Sequence, residues 1–396
     1  MIIVTLDLCG LDLRLADEIA AEIERHTGIS REGIMLNCSH THNAPFTIPW
    51  YITGWRLFEK GMKPWRAELV KKIVNTALLA KLKLHEAKLF YGRAPVRIGF
   101  NRRLPTKDGV VMKPNLKGAI VPWVDVLWAD GLDGRSIVVL FSHAAHPVIV
   151  HGASAMISAD YPGFAVKTVR RKLGRKTIVM FAQGCGANIN GEPLRGGFAA
   201  AEKAGKILGA AVLKAMRKTR PLAGTDLRFC TFELHLPFRK PPRPEVCAGE
   251  LKKWQEKYDA QKEKNWYTHN MVLVLKELLK LSRKREKRYL KFAIHAFAVG
   301  KELCITGLTH EMFAEYQLWI DKISPFRHNM VFGYTNGCES YIPCAGDFVL
   351  GGYEAASFPT PCSALAYRNR LTLAPGIEKQ INAGLKKTFQ SFLSRC

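Results

Sequence analysis

The chain has 396 residues, 47% hydrophobic and 23% charged, which is enough apolar material for a sizeable core and argues against disorder. Fifty-nine lysines and arginines stand against 34 aspartates and glutamates, a formal net charge of +25 that attracts anions. No stretch approaches the ~18 uninterrupted apolar residues of a membrane span.

In chain order, Ile2–Leu6 is an apolar strand and Leu13–His26 has helix periodicity. Gly33–Cys38 is a second apolar run that delivers Ser39-His40-Thr41-His42. The pattern predicts a helix over Pro64–Lys83 and a strand over Ala87–Tyr91. Ser136–Ser142 is a buried strand ending in His143-Ala144-Ala145-His146. Tyr161–Leu173 is helical, Lys176–Ala182 is another buried strand ending in Gln183-Gly184-Cys185-Gly186, and Gly197–Lys218 is a long helix. A proline-rich extended connector at Pro237–Pro244 precedes a charged, helical stretch, Glu245–Arg288, that has the character of an insertion. Phe292–Thr306 returns to strand character, His310–Asp321 is helical, Met330–Tyr334 is strand-like, and Gly376–Leu393 closes the chain as a helix behind Pro375. No internal repeat is visible. Buried strands alternating with helices indicate an α/β fold, a layered mixed β-sheet with flanking helices, and polar clusters follow at the strand ends where such sheets place their sites.

The basic runs, such as Arg170–Arg175 and Arg283–Arg288, suit solvated helix faces, and anionic membrane surface is their main functional reading. Nucleic acid ranks lower, because no zinc-finger, helix-turn-helix or RNA-recognition signature is present. Ten cysteines lie singly with no C-x-x-C pair, as expected of buried thiols in a reducing compartment. Met1 runs straight into strand pattern with no basic leader, so a cytoplasmic location is expected.

Two imidazoles in His40-Thr41-His42 would point to one side if the strand continued through them. With His143, His146 and nearby His151, up to five of the 12 histidines fall at two strand ends, a pattern that satisfied core histidines explain less well than zinc. A carboxylate ligand cannot be chosen from spacing, because neither H-E-x-x-H nor H-x-x-E-H occurs; Glu311 is an adequate candidate, and equally a helix first-turn glutamate. No G-x-S-x-G elbow, P-loop or dinucleotide fingerprint is present. Cys185 could be a nucleophile but reads better as a buried turn residue.

At these residues the chain resembles the catalytic domain of the neutral/alkaline non-lysosomal ceramidase family, along nearly its whole length. The segments that carry the likeness are Cys38–Pro45, Phe100–Arg103, Ala144–Pro147, Phe181–Cys185, Glu311–Tyr316, Tyr341–Pro343 and Gly352–Ala355, in the family's order. The resemblance implies zinc bound by His40, His146, Glu311 and Tyr341, with His42, Arg102 and Tyr353 around the metal-bound water and the scissile carbonyl. It implies hydrolysis of an N-acyl amide, a ceramide-like lipid cleaved to fatty acid and sphingoid base, by attack of that water. Three departures stand out. The family carries strands ahead of the position of Met1; its glycine-aspartate-valine-serine-proline turn is Ala187-Asn188-Ile189-Asn190-Gly191 here; and its proline-glycine before the ligand glutamate is Thr309-His310. Asn190 cannot be a nucleophile, which favours water. His143, His151 and Asp160 are candidates for orienting the ligands, with plain structural roles as good an account.

The expected organisation is a single ceramidase-like catalytic domain over residues 1–396, with a helical insertion at about 245–288 and no C-terminal immunoglobulin-like domain. A zinc amidase or esterase acting on a smaller or anionic acyl substrate is the alternative enzyme. A degenerate, non-catalytic member that adheres to anionic membrane is the alternative outside catalysis.

Overall fold

Side-chain alternation along the buried strands decides how the layers stack. In the strand Ser136–His143, Val139 and Phe141 enter one apolar cluster and Leu140 enters another on the opposite face. A strand buried on both faces needs cover on both sides. The computed structural model, which describes residues 1–45, 47, 55–217, 220–224, 226–263, 266–284, 286–355 and 371–393, shows that cover to be helices on one side and a second sheet on the other.

The first four-stranded sheet has the order Ala87–Pro95, Trp123–Gly131, Ser136–His143, Ile178–Gln183. Its first two pairings are antiparallel and the last is parallel, reached through the crossover helix Asp160–Leu173. The second, Leu227–Pro237, Tyr289–Val299, Leu303–Leu308, His328–Phe332, has the same succession of pairings and crosses over through the helix Ala314–Ile323. Tyr91, Leu140 and Ala182 of the first sheet meet Phe297, Ile305, Met330 and Phe332 of the second in one apolar layer. Helices Asp160–Leu173 and Gly197–Ala215 cover the outside of the first sheet, and the closing helix Ile377–Leu393 covers the second. The architecture is therefore α/β, as the alternation of elements predicts, with the strands distributed over several sheets.

A third unit joins the two sheets. Ile2–Leu6 and Ile34–Cys38 form a parallel pair around the helix Leu13–Thr27, and the whole of Ile34–Cys38 is buried. The Asn37 amide donates to the carbonyls of Gln183 and Gly333, and its oxygen accepts from the Gln183 amide at 2.8 Å. One side chain thus ties together the ends of a strand from each sheet.

Several elements differ from the sequence expectation, each for a tertiary reason. The predicted helix over His310–Asp321 begins only at Ala314, because Glu311-Met312 pairs as a short parallel strand with Tyr341-Ile342. Phe292–Thr306 resolves into two strands, Tyr289–Val299 and Leu303–Leu308, turned at Gly300 with φ of 55°. The strands Gly99–Thr106, Gly109–Asn115, Trp123–Gly131 and Leu227–Pro237 are not among the expected elements; charge and proline interrupt the first two, whereas the other two do alternate, as Val124, Val126 and Trp128 show. The long helix from Gly197 ends at Ala215, and its predicted terminus, Lys218, lies outside the described residues. The charged stretch forms the helices Pro244–Asp259 and Trp266–Lys284, which share a small apolar cluster around Cys247, Met271 and Leu275. Among the described residues the cysteines are free thiols, and no helix is long and apolar enough to cross a membrane.

Helix Gly197–Ala215 approaches helix Asp160–Leu173 at glycine. A Cβ on Gly205 would stand 2.4 Å from the Cβ of Phe164 and 2.7 Å from the Tyr161 carbonyl oxygen, so the helices cannot pack this closely with any side chain there. Gly205→Ala is expected to destabilise the protein by about 1–3 kcal/mol through overpacking. Urea unfolding checks it: the midpoint should fall with the slope unchanged.

Candidate metal centre

Three segments that leave buried strands converge on one point. His40 lies just beyond Ile34–Cys38, His146 beyond Ser136–His143, and Glu311 beyond Leu303–Leu308, and all three side chains are buried. The convergence of His40 and His42 does not come from strand alternation, because the strand ends at Cys38 and His40 takes a left-handed backbone with φ of 64°. His310 and Tyr334, which flank the same point, are also left-handed, with φ of 71° and 49°. Such conformations are costly for residues other than glycine and persist only where the surroundings impose them.

Hydrogen bonds fix the tautomers. His146 Nδ1 lies 2.7 Å from the Gly186 carbonyl oxygen, and His40 Nδ1 bonds to the carbonyl of Cys9. Carbonyl oxygens only accept, so Nδ1 carries the proton in both rings and each Nε2 presents a bare lone pair. These lone pairs face the same carboxylate oxygen: Glu311 Oε2 is 3.2 Å from His146 Nε2 and 3.3 Å from His40 Nε2. His146 Nε2 makes no hydrogen bond despite complete burial. Acceptors aimed at one another in a buried site call for a cation between them. Tetrahedral corners at bond lengths of ~2.0–2.2 Å are about 3.3–3.6 Å apart, close to the spacing found. The donor set of two imidazole nitrogens and a carboxylate oxygen therefore fits a divalent metal such as zinc, and the three atoms lie within 4.8 Å of one another.

The electrostatics agree. Burial pushes the Glu311 carboxyl up, but His40 and His146 outweigh it and hold the group well below the usual range. Burial pushes His40 down, yet Cys9 and Glu311 raise it to about 10, so with no cation between the acceptors this ring takes a second proton at Nε2, the position a metal ion would otherwise occupy. His146 is pushed down to about 4 by burial and by the Arg102 guanidinium. Cys9, His40 and His42 form a second group with metal-ligand spacing, but there His40 Nδ1 is already engaged by the Cys9 carbonyl.

The other expected residues surround this focus. His42 Nε2 is 3.3 Å from His40 Nε2 and its ring is 5.1 Å from that of His151; burial, then His40 and His146, keep it neutral. His42 borders a cleft of about 620 Å³ lined also by Asn43, His151 and Ile157. Arg102 Nε donates to Glu354 Oε1 at 2.7 Å, Nη1 to Asn190 Oδ1 at 3.2 Å, and Nη2 to the Tyr341 hydroxyl at 3.3 Å. Tyr341 stands opposite Glu311 in the short parallel ladder, and Tyr353 packs edge-on against it with ring centroids 5.6 Å apart. The fold thus assembles His40, His146 and Glu311 directly, with His42, Arg102, Tyr341 and Tyr353 around them.

Three other candidates have structural partners. His143 donates Nδ1 to the Trp123 carbonyl at 2.8 Å, Asp160 accepts from the amides of Val150 and Tyr161, and the Cys185 thiol is fully buried and pushed up by that burial. Sequence reasoning passed over two residues. Glu354, next to Tyr353, accepts from both Arg102 and Arg103 while nearly inaccessible. The Tyr334 hydroxyl lies 3.3 Å from Glu311 Oε2. Adjacency to the tyrosine motif could have pointed to Glu354; Tyr334 looked like the end of an apolar strand.

No protein-family model matches the chain, and no curated protein matches it. Solved structures do. The neutral ceramidase from Pseudomonas aeruginosa superposes with a TM-score of 0.69 at 19% identity, over 99% of this chain and 66% of that one. A ceramidase complexed with C2 superposes with a TM-score of 0.71 at 17% identity, over 99% of this chain and 67% of that one. The protein has the neutral ceramidase fold, and it spans about two thirds of the length of those chains.

Glu354 is the shared counter-ion of two buried guanidinium groups, so its loss leaves Arg102 without that carboxylate and Arg103 with Asp347 alone. Glu354→Ala is expected to destabilise the protein by about 3–5 kcal/mol, the usual cost of breaking a buried pair from one side. Chemical denaturation at neutral pH provides the check; an unchanged midpoint would show that solvent or Asp347 can replace the carboxylate.

Proposed function

We propose that the protein is a zinc-dependent hydrolase of N-acyl amides, ceramide-like lipids being the default substrate, with residues 1–396 acting as one catalytic unit. The observation that carries the proposal is the meeting of two bare imidazole lone pairs and the Glu311 carboxylate at 3.2–3.3 Å in a buried site. His40, His146 and Glu311, with the Tyr341 hydroxyl as fourth donor, would hold the ion. A zinc ion there would supply Lewis-acid polarisation of an acyl carbonyl and a lowered pKa for water, to about 7.

The side chains around the focus suit the remaining work. His42, neutral and at the border of the cleft, can accept a proton from an attacking water through its ring and return it to the leaving nitrogen. Arg102 is held by Glu354, Asn190 and Tyr341, so its guanidinium is oriented before any substrate arrives. The Tyr353 hydroxyl would add a second donor toward the developing oxyanion. Ile157 in the cleft wall and its neighbour Met156 are 77% and 67% exposed, apolar surface that suits a lipid-like substrate.

A specific contact favours a second reading, a smaller anionic acyl substrate. Arg195 lies across Gly152 in the cleft wall, its Nε 3.1 Å from where a Cβ on that glycine would stand, and its guanidinium could take a carboxylate.

Elemental analysis of the purified protein is expected to find one zinc per chain, lost in His40→Ala and in Glu311→Ala. Zinc-free parent protein after incubation with the metal would refute the proposal. Assayed against short-chain ceramides and N-acyl amino acids, the loaded protein should release fatty acid from the first group, whereas preference for the second would select the anionic substrate. His42→Ala should keep its zinc and lose about 10²–10⁴ in kcat, the range for a general acid–base. Steady-state kinetics beside metal content separates that result from loss of the ion.

A further inference from the structure

Tyr334 meets all three members of the metal cluster, and nothing in the expected site uses it. Its ring lies against the imidazole of His40, centroid to centroid 4.2 Å. Its hydroxyl donates to Glu311 Oε2 at 3.3 Å, the same oxygen that faces both imidazoles. The side chain is 1% exposed, and a phenol so buried needs an acceptor. Its backbone is anchored to both ligand-bearing segments: the Tyr334 amide donates to the His310 carbonyl at 2.9 Å, and its carbonyl accepts from Cys38 at 3.3 Å. The left-handed φ of 49° is the conformation that makes these contacts together, an unfavourable one for an aromatic residue.

We infer that Tyr334 is a positioning residue of the metal centre: its ring seats His40 and its hydroxyl turns Glu311 Oε2 toward the point where the imidazole lone pairs meet. The inference rests on the proposed metal centre and deepens it. A carboxylate can rotate about its last bond and present either oxygen. A buried donor on one oxygen removes that freedom, as partners of metal ligands generally do. Tyr334 therefore acts on metal affinity and coordination geometry through Glu311, without being required as a ligand itself.

The test compares the parent with Tyr334→Phe, which deletes only the hydroxyl, and Tyr334→Leu, which also removes the ring. Zinc affinity is measured by calorimetric titration, the coordination geometry by the visible spectrum of the cobalt(II)-loaded protein, and folding by the thermal midpoint without metal. Tyr334→Phe should keep its midpoint, bind zinc about 10–100-fold more weakly, and show an altered cobalt spectrum. Tyr334→Leu should bind more weakly still. Parent-like zinc affinity and cobalt spectrum in Tyr334→Phe overturn the inference and leave the metal centre standing. If Tyr334→Phe is unfolded at the assay temperature, zinc affinity and the cobalt spectrum are compared with the parent at a lower temperature where it is folded, and parent-like values there have the same consequence. No zinc uptake by the parent itself, with Glu311→Ala indistinguishable from it, overturns the metal centre and this inference together.

Discussion

The buried amide of Asn37 is the joint on which the site depends. Two sheets packed face to face have no reason to place the ends of their strands in register, because the apolar layer between them is non-directional. Asn37 supplies direction: it holds Gln183 at the end of the first sheet and Gly333 at the end of the second. With those ends aligned, the segments that follow the strands enter the same volume. His40 lies three residues past Asn37, His146 and Glu311 leave neighbouring strands, and Tyr334 follows Gly333 directly.

What gathers there is electrostatically unbalanced by design of the neighbouring backbone. Carbonyl oxygens of Cys9 and Gly186 accept hydrogen bonds from Nδ1 of His40 and His146, which leaves the opposite nitrogen of each neutral ring as an acceptor. Both acceptors confront the Glu311 carboxylate among buried side chains. A few ångströms away charge is balanced side chain against side chain: Arg102 and Arg103 share Glu354, and Asp347 pairs with Arg103. Between the acceptor-rich focus and this neutral ion-pair network stand Tyr341, whose hydroxyl and ring both meet Arg102, and the ring of Tyr353.

The two large sheets repeat one plan, antiparallel, antiparallel, then parallel through a helix, and each contributes one ligand segment after its third strand. No repeat shows in the amino acids. Strand pairing depends on backbone hydrogen bonds and on which face is apolar, and many different residues satisfy both. The correspondence is visible only once the strands are paired.

The α/β class and most of the helices were legible in the residues, since their signal is periodicity over ten or more positions, as in Leu13–Thr27 and Ile377–Leu393. So were the two histidine clusters at strand ends, because His40, His42 and His146 each follow a strongly apolar run, and the order of motifs pointed to the family whose fold the chain has. Which of His143 and His146 faces the focus was not legible from pattern, and only the family likeness singled out His146: both rest Nδ1 on a carbonyl, of Trp123 and Gly186, and the fold alone turns Nε2 of the second toward Glu311. Nor could spacing distinguish Glu311 as a cluster member from a helix first-turn glutamate; its pairing with Tyr341 across the fold does that. Tyr334 was invisible for the same reason, its hydroxyl partner lying 23 residues away, and Glu354 had only its place beside the tyrosine motif to mark it, its arginine partners lying more than 250 residues away. Amino-acid type and local order determine which chemistry the chain can offer. The direction of each lone pair, and what stands opposite it, is decided by contacts between segments distant in sequence.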